Sequence, residues 1–245
     1  MSRFLKALTL ALALSALSIF TTSCGVTNGT AQVRVINAIP DSKPEDIYVS
    51  GTRIASSLPF GGVYPAPTTP AAYQPVFSGN ATIQGFAPGD TTNPISPIGT
   101  LSLNGSTQYT VVAVGLEFND SPPLLLTDNN MAPTSGNMEF RIVNASLSSP
   151  VGGVDVYIVP PADTDLTNFT PQISGLGNGQ ASGYQSLNFI SSGYAVIVTA
   201  NLSKTALIKQ SPTSQSGSIT TLVLVDNPGG NNGMSQTPLV LQDLN

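Results

Sequence analysis

The sequence predicts an all-β chain made of two tandem antiparallel β-sandwiches of immunoglobulin-like type. Three observations carry that expectation. Short runs such as VRVIN (33–37) and FRIVN (140–144) alternate polar and apolar side chains, the period of a half-buried strand. Clusters of Pro, Gly, Ser and Asn separate the runs, for example GGVYPAPTTPAA and GLGNGQASG, as turns between short strands require. The pattern also occurs twice. No segment after residue 24 has an apolar stripe at helical spacing.

The repeat is collinear over almost the whole chain. VRVINA (33–38) faces FRIVNA (140–145), DIYV (46–49) faces DVYI (155–158), and YQPV (73–76) faces YQSL (184–187). YTVVAVG (109–115) is aligned with ITTLVLV (219–225), and PLLLTDNN (123–130) with PLVLQDLN (238–245). Chance matches would not keep this order. Within the first copy, IYVSGTRIA reads as a hairpin turning at Ser50-Gly51, where glycine can take a positive φ. PIGTLSL (97–103) and YTVVAVGL (109–116) flank NGSTQ and read as a second hairpin. In the second copy YAVIVTA (194–200), TALIKQ (205–210) and ITTLVLV (219–225) repeat the sense. The expected division is a signal helix over 1–23, a tether over 24–32, a first sandwich over 33–130, a linker over 131–139 and a second sandwich over 140–245.

The first residues set the compartment. Arg3 and Lys6 precede an apolar run over 7–20, and small residues follow up to Cys24, the pattern of a secretory signal peptide. The run is shorter than the ~20 residues of a membrane-spanning helix. Small residues directly before a cysteine resemble a bacterial lipobox, with Thr21 where such boxes usually carry Leu. The resemblance implies lipidation of Cys24 and cleavage before it. Two or more acyl chains hold a protein firmly to a membrane.

Removing residues 1–23 leaves 6 basic against 13 acidic residues, a net charge of −7. Such a balance excludes nucleic acid as an electrostatic partner. Cys24 is the only cysteine, so no disulfide closes within one chain and the core must supply stability. There is no histidine, which excludes Ser-His-Asp and Cys-His nucleophiles and every His-based metal site. Neither Ser-x-x-Lys nor Gly-x-Ser-x-Gly occurs. The GLGNG segment lacks the following helix of a phosphate loop and reads as an inter-strand loop.

A few side chains remain as candidates. Asp163 and Asp165 in PPADTDLTN present alternate carboxylates that suit a Ca²⁺ ion, or a polar turn bonding its own backbone. Asp46 and Asp155 stand before the same strand in both copies. They read either as a repeated ligand site or as acceptors for a neighbouring turn's amides. Paired carboxylates of the glycosidase kind stay open, with no particular pair marked. The tyrosines and phenylalanines sit mostly within apolar strands and read as core.

The opening VRVINAIPDSKPEDIYVSG, the run YTVVAVG and the exit LLLTDNNMAP followed by FRIVNAS resemble bacterial envelope domains catalogued as domain of unknown function 4397. Arg34, Asn37, Ala38, Pro40, Asp41, Asp46, Tyr48, Val49 and Gly51 match the family opening. So do Arg141, Asn144, Ala145, Ser146, Asp155 and Tyr157 in the second copy, where SLSSPVGG departs from the family's P-D-A-P core. The resemblance implies secretion, often a lipid anchor, and a β fold; it implies no activity. The expectation is a non-catalytic, lipid-anchored cell-envelope protein at the outer membrane or cell surface, acting as a binding, adhesion or structural module. It carries no cofactor, and its partners are the membrane and an envelope protein or polysaccharide. A Ca²⁺-dependent module and a carboxylate-based polysaccharide hydrolase are the alternatives.

Overall fold

The computed structural model describes residues 29–243 except 69–70, 96–98, 119–120, 164, 213–214 and 230–232. The expected signal helix and Cys24 lie outside the described residues. The fold is all-β, with two pairs of sheets forming two sandwiches.

In the first sandwich one sheet holds β1 (Thr30–Asn37), β4 (Val63–Tyr64), β5 (Gln74–Phe77), β8 (Gln108–Ala113) and β9 (Leu124–Thr127). Its order is β4-β1-β8-β9, with β5 also on β1. The other sheet holds β2 (Glu45–Val49), β3 (Thr52–Leu58), β6 (Gly79–Phe86) and β7 (Gly99–Leu103), ordered β3-β2-β6-β7. The second sandwich repeats this strand for strand. β10 (Asn137–Asn144), β13 (Gln180–Ala181), β14 (Gln185–Asn188), β17 (Ile219–Leu224) and β18 (Leu239–Gln242) form one sheet. β11 (Val154–Val159), β12 (Ile173–Leu176), β15 (Ala195–Ala200) and β16 (Ala206–Gln210) form the other, in the corresponding orders. Most pairings are antiparallel, but β1–β8 and β10–β17 are parallel.

The hairpin at Ser50-Gly51 forms as its sequence requires. Val49 pairs with Thr52, and both turn residues have positive φ, +48° and +79°, the type I′ geometry whose twist matches the strands. The hairpin expected across NGSTQ does not form. β7 pairs with β6, whereas β8 pairs with β1 and β9 in the opposite sheet. The reason is burial: Leu101 and Leu103 of β7 and Tyr109 and Val111 of β8 face one another across a single core. The connection is therefore an arch between layers, held by the Ser106 N–H donating to Thr30 O and the Asn104 N–H donating to the Tyr109 hydroxyl.

Register also corrects the repeat. Arg34 pairs with Thr110 and Arg141 with Thr221, so YTVVAV corresponds to TTLVLV (220–225), one residue later than the sequence alignment. A slip of one residue exchanges the two faces of a strand, and this register puts Thr110 and Thr221 on equivalent faces.

β1 and β10 are not half-buried strands with one face in water. Val33 and Val35 enter the first sandwich's core, and Ile142 enters the second's. The opposite faces meet. Ile36, Ala38, Val112 and Val114 pack against Val143, Ala145, Val223, Val225 and Leu241 in one buried cluster between the sandwiches. The molecule is thus four sheets deep, and its two central sheets are covered on both sides.

Candidate functional site

The alternation of β1 that buries Val33 and Val35 inward turns Arg34 toward the other sandwich. β10 does the same with Arg141. Thr110 and Thr221 lie beside them on the parallel partner strands. Asp128 and Asp243 follow directly after β9 and β18, the last strand of each sandwich. These six side chains converge between the sandwiches and are all buried.

The bonding is reciprocal. Arg34 Nη2 lies 2.6 Å from Asp243 Oδ1 and 3.3 Å from Asp128 Oδ2. Arg141 Nη2 lies 2.6 Å from Asp128 Oδ1 and 3.3 Å from Asp243 Oδ2. Each arginine thus makes its short bond to the other sandwich's aspartate and its longer one to its own. Arg34 Nη1 donates to Gln242 O at 3.0 Å, and Arg141 Nη1 donates to Thr127 O at 3.1 Å. The Nε groups donate to Thr110 and Thr221 at 3.1 and 3.0 Å. Those hydroxyls donate onward, Thr110 to Asp128 and Thr221 to Asp243. Tyr73 and Tyr184 close the outer sides. Their hydroxyls donate to Asp128 at 2.9 Å and Asp243 at 2.7 Å, and their rings lie 5.1 and 4.6 Å from the guanidinium carbons of Arg34 and Arg141. Pairwise exchange of this kind is the signature of a two-fold interface, here built within one chain.

Burial shapes the electrostatics. Loss of water works to lower the Arg34 pKa, but the carboxylates of Asp128 and Asp243 reverse this and hold it above its ordinary value. Burial pushes Asp128 upward against the pull of Arg141 and Arg34. Desolvation, with Asp128 or Asp243 close by, raises both tyrosine hydroxyls far above their ordinary value. Every charged group here is occupied by its counterpart, so the chemistry of the cluster is cohesion: a buried pair is costly to break from one side only.

The sequence-derived candidates lie elsewhere. Asp46 accepts the Ser57 N–H at 2.8 Å, the Gly89 N–H at 3.5 Å and Arg53 Nη1 at 3.1 Å. Burial works to raise its pKa, but the Ser57 amide and Arg53 carry it below the ordinary carboxylate range. Asp155 accepts the Gly175 N–H and the Leu202 N–H, both at 2.9 Å. Both residues therefore hold neighbouring turns, and the Asp155 bond fastens a turn whose Leu202 has φ +62°. Asp165 accepts the Thr167 amide at 2.9 Å and hydroxyl at 2.5 Å, which lower its pKa. The Asp163 N–H donates to Pro160 O. Among the described residues no three carboxylate, Cys or His groups are placed to hold one ion. No described helix is long and apolar enough to cross a membrane.

Two residues repeated in the sequence serve the loops after β1 and β10. Asn37 donates to Leu58 O and Asn144 to Leu176 O, while their carbonyls accept the Ile39 and Ser146 amides. Together with Arg34, Asp46 and their counterparts, they explain structurally the motif noted in the sequence. The model of the family described as Domain of unknown function (DUF4397) matches residues 31–157. The chain belongs to this family. The DUF4397 match takes in every strand of the first sandwich, β10 and most of β11. No curated protein matches the sequence.

Sequence reasoning missed the arginine–aspartate cluster, although its signal was present. Arg34/Arg141, Tyr73/Tyr184 and Asp128/Asp243 are identical pairs in the repeat alignment, and Thr110/Thr221 becomes one in the correct register. Two cavities border the start of β1. One, of about 380 Å³, is polar, lined by Gln32, Thr107, Gln108 and Asn130 among others. The other, of about 450 Å³, lies between β3 and β5.

Proposed function

We propose that this DUF4397 protein is a non-catalytic, lipid-anchored cell-envelope protein that presents a rigid double sandwich as a binding, adhesion or structural module. In this reading the second sandwich is a second copy of the DUF4397 domain, and lipidated Cys24 holds the chain to the membrane.

The observation that carries the reading is the direction of the strands. β1 starts at Thr30, six residues after Cys24, and runs away from that end. β8 runs parallel to it. The loop after β1 meets the loop after β17 through the Gly229 N–H on Pro40 O, so both sandwiches point their strand ends the same way. An anchor at Cys24 therefore leaves the loops after β8, β10 and β15 at the far end. Those loops carry the exposed apolar side chains of Phe118, Leu147, Val151 and Leu202, and loops on a rigid scaffold are where recognition concentrates. The buried charge cluster supports the non-catalytic part, since its two arginines and two aspartates are bonded to one another and withdrawn from solvent.

Growth with labelled palmitate tests the anchor. The wild-type protein should take up label and Cys24→Ala should not. An unlabelled wild type, or label retained by Cys24→Ala, contradicts it. Residues 25–245 fixed to beads should then retain an envelope protein or polysaccharide that an unrelated sandwich does not.

A further inference from the structure

The sequence holds four Asn-Gly pairs, Asn28-Gly29, Asn104-Gly105, Asn178-Gly179 and Asn232-Gly233. Glycine has no Cβ, so the amide nitrogen that follows such an asparagine is unshielded and can reach the asparagine's own side-chain carbon. Asn104 and Asn178 are among the described residues, and both are exposed in connections between strands. Their surroundings differ.

Asn178 is locked. Its Nδ2 donates to Ser146 O at 2.7 Å, and the Gly179 N–H donates to Asn144 O at 2.7 Å. Both the amide that would leave and the nitrogen that would attack are therefore engaged by β10 and the loop after it. Asn104, in the arch between β7 and β8, is held through its backbone, whose N–H donates to the Tyr109 hydroxyl at 3.0 Å. Among the described residues neither its side-chain amide nor the Gly105 N–H makes a hydrogen bond. Gly105 is itself exposed.

We propose that Asn104 is a site of spontaneous deamidation, which converts it to aspartate and isoaspartate while Asn178 stays intact. Hydroxide takes the proton of the Gly105 N–H, and the nitrogen attacks Asn104 Cγ. The N–Cγ bond forms, the bond from Cγ to Nδ2 breaks, and Nδ2 leaves as ammonia with a proton returned by water. Water then opens the cyclic imide. Opening at Cγ yields aspartate. Opening at the backbone carbonyl carbon yields isoaspartate, whose chain runs through Cβ and Cγ. No electrons change hands, and the reactants are the chain and water. The arch fastens the start of β1, through the Ser106 N–H on Thr30 O and the Gln32 N–H on Thr107 O. Isoaspartate lengthens the backbone just before these bonds and adds a negative charge, so the modification loosens the end of β1 that leads back to Cys24.

Incubation of the full chain in mildly alkaline buffer made with heavy-oxygen water, followed by peptide mapping, tests this. The Asn104 peptide should exchange its amide nitrogen for one heavy oxygen and separate into aspartate and isoaspartate forms. It should react at least about tenfold faster than the Asn178 peptide, whose two hydrogen bonds must first break at a net cost of about 1 kcal/mol each. In urea the two rates should converge. Gly105→Ala, whose Cβ would meet its nearest neighbour at 3.5 Å, an ordinary contact, should slow the reaction with circular dichroism unaltered. In the aged protein the Gln32 and Ser106 amides should exchange hydrogen faster. Equal rates at Asn104 and Asn178 in the folded protein, or an Asn104 peptide that keeps its amide, overturn the proposal. So does aspartate without isoaspartate, the product of direct hydrolysis.

Discussion

The first and second sandwiches share a strand order and a set of buried polar residues, yet they differ in how one end is packed. The shared part includes Arg34 and Arg141, Asp128 and Asp243, Thr110 and Thr221, and Tyr73 and Tyr184, bonded into one cluster at the middle of the molecule, where Arg34–Asp243 and Arg141–Asp128 cross between the sandwiches. The different part is Ala31, Val33, Val49 and Val76 against Met138, Phe140, Ile158 and Leu187. The comparison separates two kinds of constraint. The identical Arg–Asp pairs join the halves, because each half supplies the partner of the other, whereas the identical Asn37/Asn144 and Asp46/Asp155 hold turns within each half. What differs is local, and each half has settled it by its own side-chain volumes.

The largest effect should come from breaking the shared part. Arg34→Ala leaves buried carboxylates without a counter-charge and should cost about 3–5 kcal/mol, read from the urea midpoint. Arg141→Ala should cost the same within error. A large inequality between the two would break the reciprocity of the cluster. The local difference is tested next. Met138 is fully buried, so Met138→Ala should cost about 2–5 kcal/mol. A loss below 1 kcal/mol would mean that the two ends pack alike.

Smaller effects follow from the turn-holding aspartates. Asp155→Ala removes the acceptor of two amides and should cost about 1–3 kcal/mol. The loss should be matched by faster hydrogen exchange at Gly175 and Leu202. The pH dependence of Asp46 is smaller still. Its folded pKa is lowered, so its contribution is present above the unfolded value of about 3.9 and fades as pH falls through the folded value. Between pH 5 and 2 the wild-type urea midpoint should therefore drop more steeply than that of Asp46→Asn. Parallel curves would remove Asp46 from the acid response.

The sequence contained most of the architecture and little of the assembly. Alternation in VRVIN and the Ser50-Gly51 turn are local signals, and strand and hairpin formed where they pointed. The NGSTQ turn misled because alternation in β7 and β8 marks a buried face without saying whether the partner lies beside the strand or across the core. Arg34 was legible only as the polar half of an alternation. An arginine facing water and one facing a second sandwich produce the same pattern, and the contact depends on Asp243, 209 residues away. Asp46 and Asp155 were legible as turn acceptors because Asp bonds nearby amides readily.

The reciprocal charge cluster and the apolar layer around it should make the two sandwiches one cooperative body. Differential scanning calorimetry of residues 25–245 tests it most directly. A single transition is expected, with van't Hoff and calorimetric enthalpies in agreement. Two resolved transitions, one for each sandwich, would contradict it.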